Sequence, residues 1–253
     1  MKRVLTRMCT AAAIIVLTAC AGPEAKTGPD AKTDPAMANA DLGLAYMERG
    51  EYQVALDKLK KALEINPDLP QAHHYIAMVY QNLGNVGQAE KHFERAVSLD
   101  GSDSSLQNNY GIFLCRQGRY KEALRHFRRS YDDDNYSAKD QAYENAGLCA
   151  LRMPENDKAE HFFRQALQVN PKRPESLYQM ALLEFNSGHY LQARAFLQRL
   201  HDASPYTPQS LMLGVKVERK LGDEHTVDLY TERLKKDFPQ SNETKLLMES
   251  QHP

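Results

Sequence analysis

The chain has 253 residues, of which 42% are hydrophobic, and this is sufficient for a folded domain with a buried core. Its 32 Lys and Arg residues nearly balance its 33 Asp and Glu residues, so the formal net charge is -1. Nucleic-acid binding is therefore not expected, because it requires a basic surface that neutralises phosphates.

The N-terminus has the pattern of an export signal. Lys2, Arg3 and Arg7 make its start basic, and the apolar run over 8–17 is too short to span a membrane. The run ends in Leu-Thr-Ala-Cys at 17–20, which resembles the lipobox of bacterial lipoproteins. This resemblance implies a lipoprotein signal peptide over 1–19 and lipidation of Cys20. The alternative is an ordinary signal peptide cut near Ala19, with Cys20 incidental.

The residues after Cys20 predict where the protein is held. The residue that follows the cysteine is Ala21 and not Asp, which in lipoproteins of this kind favours the outer membrane over the inner membrane. Segment 20–35 is rich in Gly and Pro and lacks apolar periodicity, so we expect a flexible tether. The expected localisation is the outer membrane, lipid-anchored and facing the periplasm.

An internal repeat occupies the rest of the chain, from 36 to 239. The same spacing of small, large and turn residues returns about every 34 residues. Copies lie near 36–69, 70–103, 104–137, 140–173, 174–207 and 208–241. The pattern resembles the tetratricopeptide repeat, which implies an all-α, right-handed superhelical solenoid of about six helix-turn-helix repeats. Residues 242–253 are expected to form a C-terminal tail.

The concave face of such a solenoid is lined mainly by the first helix of each repeat. Apolar residues on these helices predict a partner-binding groove at Leu44, Met47, Met78 and Ile112. A groove of this kind suits an amphipathic helix or an extended apolar segment. The alternative is that these side chains only complete the core between helices. The Lys and Asn pattern with which chaperone-type repeat domains hold a carboxylate is not expected here.

The sequence carries no recognisable motif for catalysis. H-E-x-x-H, the Walker A loop, the G-x-S-x-G elbow and the dinucleotide fingerprint do not occur in it. Adjacent His73 and His74 point to different faces of a helix, so they do not predict a metal site. We therefore expect no enzymatic activity, metal ion, cofactor or small-molecule substrate.

Two cysteines remain after the expected cleavage and lipidation, Cys115 and Cys149. They fall late in the first helices of the third and fourth repeats, which should pack side by side. The oxidising periplasm favours a disulfide between them. The alternative is two separate buried thiols that pack as small apolar side chains.

The end of the array is more specific than the repeats. The stretches LGVKVERKLGD at 213–223 and FPQSNET at 238–244, with the lipobox and the tether, resemble the PilW/PilF family of type IV pilus biogenesis lipoproteins. This resemblance implies a pilotin, which escorts secretin subunits to the outer membrane and promotes their assembly into a multimer needed for pili and twitching motility. A general periplasmic scaffold for envelope or cell-wall assembly proteins remains the alternative.

Overall fold

The computed structural model describes residues 34–153 and 155–249. The predicted signal peptide, Cys20 and the tether up to residue 33 lie outside these residues, so lipidation and anchoring stay predictions. The described residues form thirteen α-helices and no strand. The helices are α1 (Pro35–Glu48), α2 (Tyr52–Ile65), α3 (Pro70–Asn82), α4 (Val86–Leu99), α5 (Ser104–Arg116), α6 (Tyr120–Tyr131), α7 (Lys139–Ala150), α8 (Asn156–Val169), α9 (Pro174–Asn186), α10 (Tyr190–Ala203), α11 (Pro208–Leu221), α12 (Glu224–Asp237) and α13 (Asn242–Glu249).

Consecutive helices pack in pairs, α1 with α2 through α11 with α12, and each pair corresponds to one repeat. First helices also contact the first helix of the next repeat, as α3 does with α5 and α5 with α7. The prediction of an all-α superhelical solenoid of tetratricopeptide type is confirmed. None of the helices in the described ranges is long and apolar enough to cross a membrane.

Local sequence signals explain where the helices begin and end. Asp103 Oδ1 accepts the backbone N–H groups of Ser105 and Leu106 at 2.9 and 3.0 Å, which satisfies donors that the first turn of α5 leaves free. Proline occupies the first position of α1, α3, α9 and α11, where it removes no helical hydrogen bond. Glycines with φ between 73° and 81° follow the first helices of five repeats: Gly50, Gly84, Gly118, Gly188 and Gly222.

The core is built from small residues that face large ones. At Gly147 of α7, an added Cβ would lie 2.7 Å from Cε1 of Phe163 in α8, so the ring occupies the space that a side chain would need. Between repeats, Phe93 of α4 stacks on Tyr110 of α5 with ring centroids 5.2 Å apart. Burial of such rings stabilises the fold, and it recurs along the array at Phe93, Phe127 and Phe163.

The segment expected to be a C-terminal tail contains α13. Thr244 is buried and its Oγ1 donates to the Phe238 carbonyl at 2.8 Å, while Leu247 packs in a cluster with residues of α11 and α12. A single buried leucine and threonine in an eight-residue helix produce little periodicity, so the sequence pattern did not predict α13. The helix covers the open end of the sixth repeat.

Candidate binding groove

Two hollows adjoin along the first helices of the second, third and fourth repeats. The larger, about 380 Å³, lies between α5 and α7, and the smaller, about 190 Å³, lies between α3 and α5. Ile112 and Arg116 line both, so the hollows form one continuous surface, the groove. Its lining residues are Met78, Gln81, Asn82, Asn109, Ile112, Cys115, Arg116, Phe127, Asn145, Leu148, Cys149, Leu151 and Arg152.

The apolar part of the groove is a row of side chains on successive helices. Met78, Ile112 and Leu148 each follow the small residue of their first helix, at Ala77, Gly111 and Gly147. All three are half-buried, so they pack on the core and still present apolar surface to the groove. Such a row on rigid helices can bury apolar side chains of a partner.

Two of the four residues predicted for partner binding, Met78 and Ile112, lie in this groove. Met47 is only 8% exposed and belongs to the core cluster of the first repeat, where Leu44 also packs, partly buried. Neither of them lines the two hollows that form the groove. For Met47 the structure favours the alternative given above, completion of the core. The groove is therefore centred on the third repeat.

Three asparagines, Asn82, Asn109 and Asn145, line the groove, and no lysine lines these two hollows. Asn109 donates from Nδ2 to His74 Nε2 at 3.0 Å, with Met78 Sδ also within reach at 3.6 Å. Asn145 donates from Nδ2 to Asn108 Oδ1 at 3.0 Å. These hydrogen bonds to residues of the array orient both amide groups and leave their oxygens available as acceptors.

His74 is held in the neutral form that this arrangement needs. The side chain is buried, and burial lowers the pKa of its imidazole to about 4, although the negative charge of Asp103 acts in the opposite direction. A neutral imidazole has one nitrogen that accepts a hydrogen bond, and Nε2 fills this role toward Asn109.

Two arginines, Arg116 and Arg152, add positive charge to the groove. Both are exposed, and neither has an ion pair within the described residues. No Asp or Glu lines either hollow in this part of the chain. Neither arginine is among the residues predicted from the sequence, although each stands five positions after the small residue of its repeat's first helix, where Asn82 is the counterpart in the preceding repeat.

The structure joins Cys115 and Cys149, the predicted pair, in a disulfide with Cα atoms 5.9 Å apart. The bond links α5 to α7, and both cysteines line the larger hollow. A covalent link between two first helices restrains their separation, and with it the spacing of the groove residues that they carry.

The geometry is that of a binding surface. Within the described residues, no group of three or more His, Cys, Asp or Glu side chains is arranged to hold a metal ion. Burial is the main cause that lowers the pKa to about 4 at three further histidines, His92, His126 and His201. The lowered pKa values reflect packing of these side chains between helices.

Family models of the tetratricopeptide repeat match residues 43–84, 70–103, 102–172 and 175–205. Among curated proteins, the chain is 32% identical over 206 residues to the type IV pilus assembly protein PilF of Pseudomonas aeruginosa. That alignment covers 81% of this chain and 82% of the relative. An uncharacterised protein of Haemophilus influenzae is 30% identical over 140 residues, which cover 55% of this chain and 78% of that protein.

Two solved structures are similar over most of the array. A structure of PilF from Pseudomonas aeruginosa matches with a TM-score of 0.78 and 30% identity, covering 85% of this chain and 97% of that one. A crystal structure of PilW, described as a widely conserved type IV pilus biogenesis factor, matches with a TM-score of 0.75 and 25% identity, covering 84% and 98%. The likeness extends over nearly the full length of both structures.

Proposed function

The chain belongs to the family of the type IV pilus assembly protein PilF, and from this premise we propose that it acts in type IV pilus biogenesis as a pilotin. In this role it binds subunits of the type IV pilus secretin, directs them to the outer membrane and promotes their assembly into multimers. Pilus formation and twitching motility depend on this step.

The observation that carries the proposal is the extent of the match to PilF. Repeat arrays serve many partners, so the fold alone does not select a function. The identity of 32% over 206 residues covers most of both proteins, and it joins this chain to a pilus assembly protein over nearly the whole array. The groove on α3, α5 and α7 supports the proposal because it offers a rigid, partly apolar surface for a segment of another protein.

The lipid anchor completes the proposed role. We propose that Cys20 carries the lipid and that the tether over 20–35 lets the array stand off the membrane. A secretin subunit bound to the array is then carried to the outer membrane with the lipoprotein. Binding the partner and reaching the membrane are separate properties of separate parts of the chain.

The test is to separate inner and outer membranes from cells with and without the gene and to immunoblot for secretin multimers. We expect the multimer to be lost or misplaced without the gene and restored by the wild-type chain. A Cys20→Ala chain should bind secretin but fail to restore the multimer in the outer membrane.

A normal multimer in the outer membrane of cells without the gene would overturn the pilotin role. The proposal would then give way to a general periplasmic scaffold for envelope or cell-wall assembly proteins. Unchanged outer-membrane fractionation of the Cys20→Ala chain would contradict the anchor alone and leave secretin binding to be judged separately.

A further inference from the structure

We propose that the groove recognises an extended, acidic segment of its partner. In this assignment the guanidinium groups of Arg116 and Arg152 bind carboxylates, and apolar side chains of the segment rest on Met78, Ile112 and Leu148. The inference deepens the proposed function and rests on it only for the identity of the protein that carries the segment.

Charge favours an acidic occupant of the groove. Arg116 and Arg152 have no ion pair among the described residues, and no acidic side chain lines their hollows there. Two like charges on one concave surface attract an acidic ligand.

The chemistry of the guanidinium group favours carboxylates over other acceptors. Arginine presents a planar set of donors that matches the two oxygens of a carboxylate. Because both arginines sit beside half-buried apolar side chains, a partner segment can place acidic and apolar residues in the groove together. A purely apolar occupant would leave both charges without a partner.

The amides indicate that the bound segment is extended. Asn109 and Asn145 use their side-chain N–H groups inside the array, and no donor within the described residues reaches their oxygens. An extended segment has free backbone N–H groups that can donate to these oxygens. A helix already uses its backbone N–H groups internally and would leave both amide oxygens unmatched.

The disulfide positions the two arginines before a partner arrives. Arg116 directly follows Cys115 in the chain, and Arg152 lies three residues after Cys149. The Cα atoms of the cysteines are 5.9 Å apart across α5 and α7. A restrained spacing lowers the ordering cost of binding, so reduction of the disulfide should weaken capture of the acidic segment.

The experiment compares three forms of the full-length lipoprotein in detergent. They are the wild type, the groove variant Arg116→Glu with Arg152→Glu, and the control Lys61→Glu with Arg129→Glu. Lys61 and Arg129 are exposed residues of the second helices α2 and α6, outside the groove, and the control changes the net charge equally. Circular dichroism establishes that each form is folded.

Each form is tested against two peptide sets by fluorescence anisotropy. One set consists of overlapping peptides that tile the periplasmic part of the type IV pilus secretin. The other is a designed panel of alternating Leu and Asp, with matched peptides that carry Asn or Lys in place of Asp. For acidic peptides, we expect the groove variant to bind roughly tenfold more weakly than the wild type or the control. The Lys peptides should instead bind the groove variant better than the wild type, which loss of folding cannot produce.

The outcomes separate the two proposals. Acidic panel peptides that bind through Arg116 and Arg152, with no secretin peptide bound, would support the groove assignment and count against the secretin as partner. Secretin peptides that bind wild type and groove variant equally would overturn the acidic-segment assignment and leave the pilotin role standing. Preference for the Asn or Lys peptides in the wild type, or no binding of any peptide, would also overturn the assignment.

Discussion

Glu144 of α7 and Ser176 of α9 are joined by two hydrogen bonds across the boundary between the fourth and fifth repeats. The carboxylate Oε2 of Glu144 accepts the backbone N–H of Ser176 at 3.0 Å and its hydroxyl at 2.8 Å. The other oxygen accepts from Arg173 Nη2 at 2.9 Å. Both Glu144 and Ser176 are buried, so a fully paired charge connects neighbouring first helices.

Replacing Glu144 with Ala should lower the free energy of unfolding by about 2–4 kcal/mol, because Ser176 and Arg173 lose their acceptor away from water. Arg173 keeps Asp140, which limits the loss. Urea unfolding followed by circular dichroism measures the change. The control is Glu160→Ala, which removes an exposed pair with Arg164 and should cost less than about 0.5 kcal/mol. Equal losses in the two variants would contradict a special role for the buried carboxylate.

Replacing Cys115 and Cys149 together with Ser should lower the free energy of unfolding by roughly 3–4 kcal/mol, because the link closes a loop of one repeat in the unfolded chain. The same urea experiment, with and without reductant, should show that reduction destabilises the wild type and leaves the double variant unchanged. Mass spectrometry of protein purified from cells without reductant provides the direct check. Free thiols at both positions would contradict the bond.

Stability should fall as the pH drops from about 6.5 to about 4. Burial lowers the pKa of His74 to about 4, so in this range the unfolded chain binds a proton that the folded chain does not. Protonation of this one residue should lower the free energy of unfolding by on the order of 2–3 kcal/mol over this pH range. His92, His126 and His201 have pKa values lowered in the same direction and add to the slope.

The measurement for His74 is urea unfolding at a series of pH values for the wild type and His74→Gln. The substitution removes the titrating group and keeps an acceptor near Asn109, so the pH dependence should become shallower. If the free energy of unfolding depended on pH equally in the two proteins, His74 would not contribute to the pH dependence of stability.

Gly147→Ala should lower the free energy of unfolding by about 1–3 kcal/mol, because the new Cβ would lie 2.7 Å from the Phe163 ring. The matched control is Gly87→Ala in α4, where no atom lies within 4 Å of an added Cβ. There the substitution should stabilise the helix by about 0.5–1 kcal/mol. A similar loss at both glycines would contradict the packing argument.

The architecture of the array follows from the amino-acid sequence. The helix pairs and their order follow from residues that recur at constant spacing within each repeat. The contact of Gly147 with Phe163 follows for the same reason, because spacing along a helix fixes the face on which each side chain lies. The pairing of Cys115 with Cys149 was predictable because both cysteines fall late in the first helices of adjacent repeats, which lie side by side.

Which residues form the groove depends on the tertiary structure. Leu44 and Ile112 each directly follow the small residue of their first helix, yet Leu44 packs against the core cluster of the first repeat while Ile112 lines both hollows. Residue spacing does not determine how far each helix turns toward its neighbours, because that depends on side-chain packing across the repeat boundary. The same packing leaves Arg116 and Arg152 without an ion pair to any residue that the structure describes and joins Glu144 to Ser176, and no local pattern contains those contacts between helices.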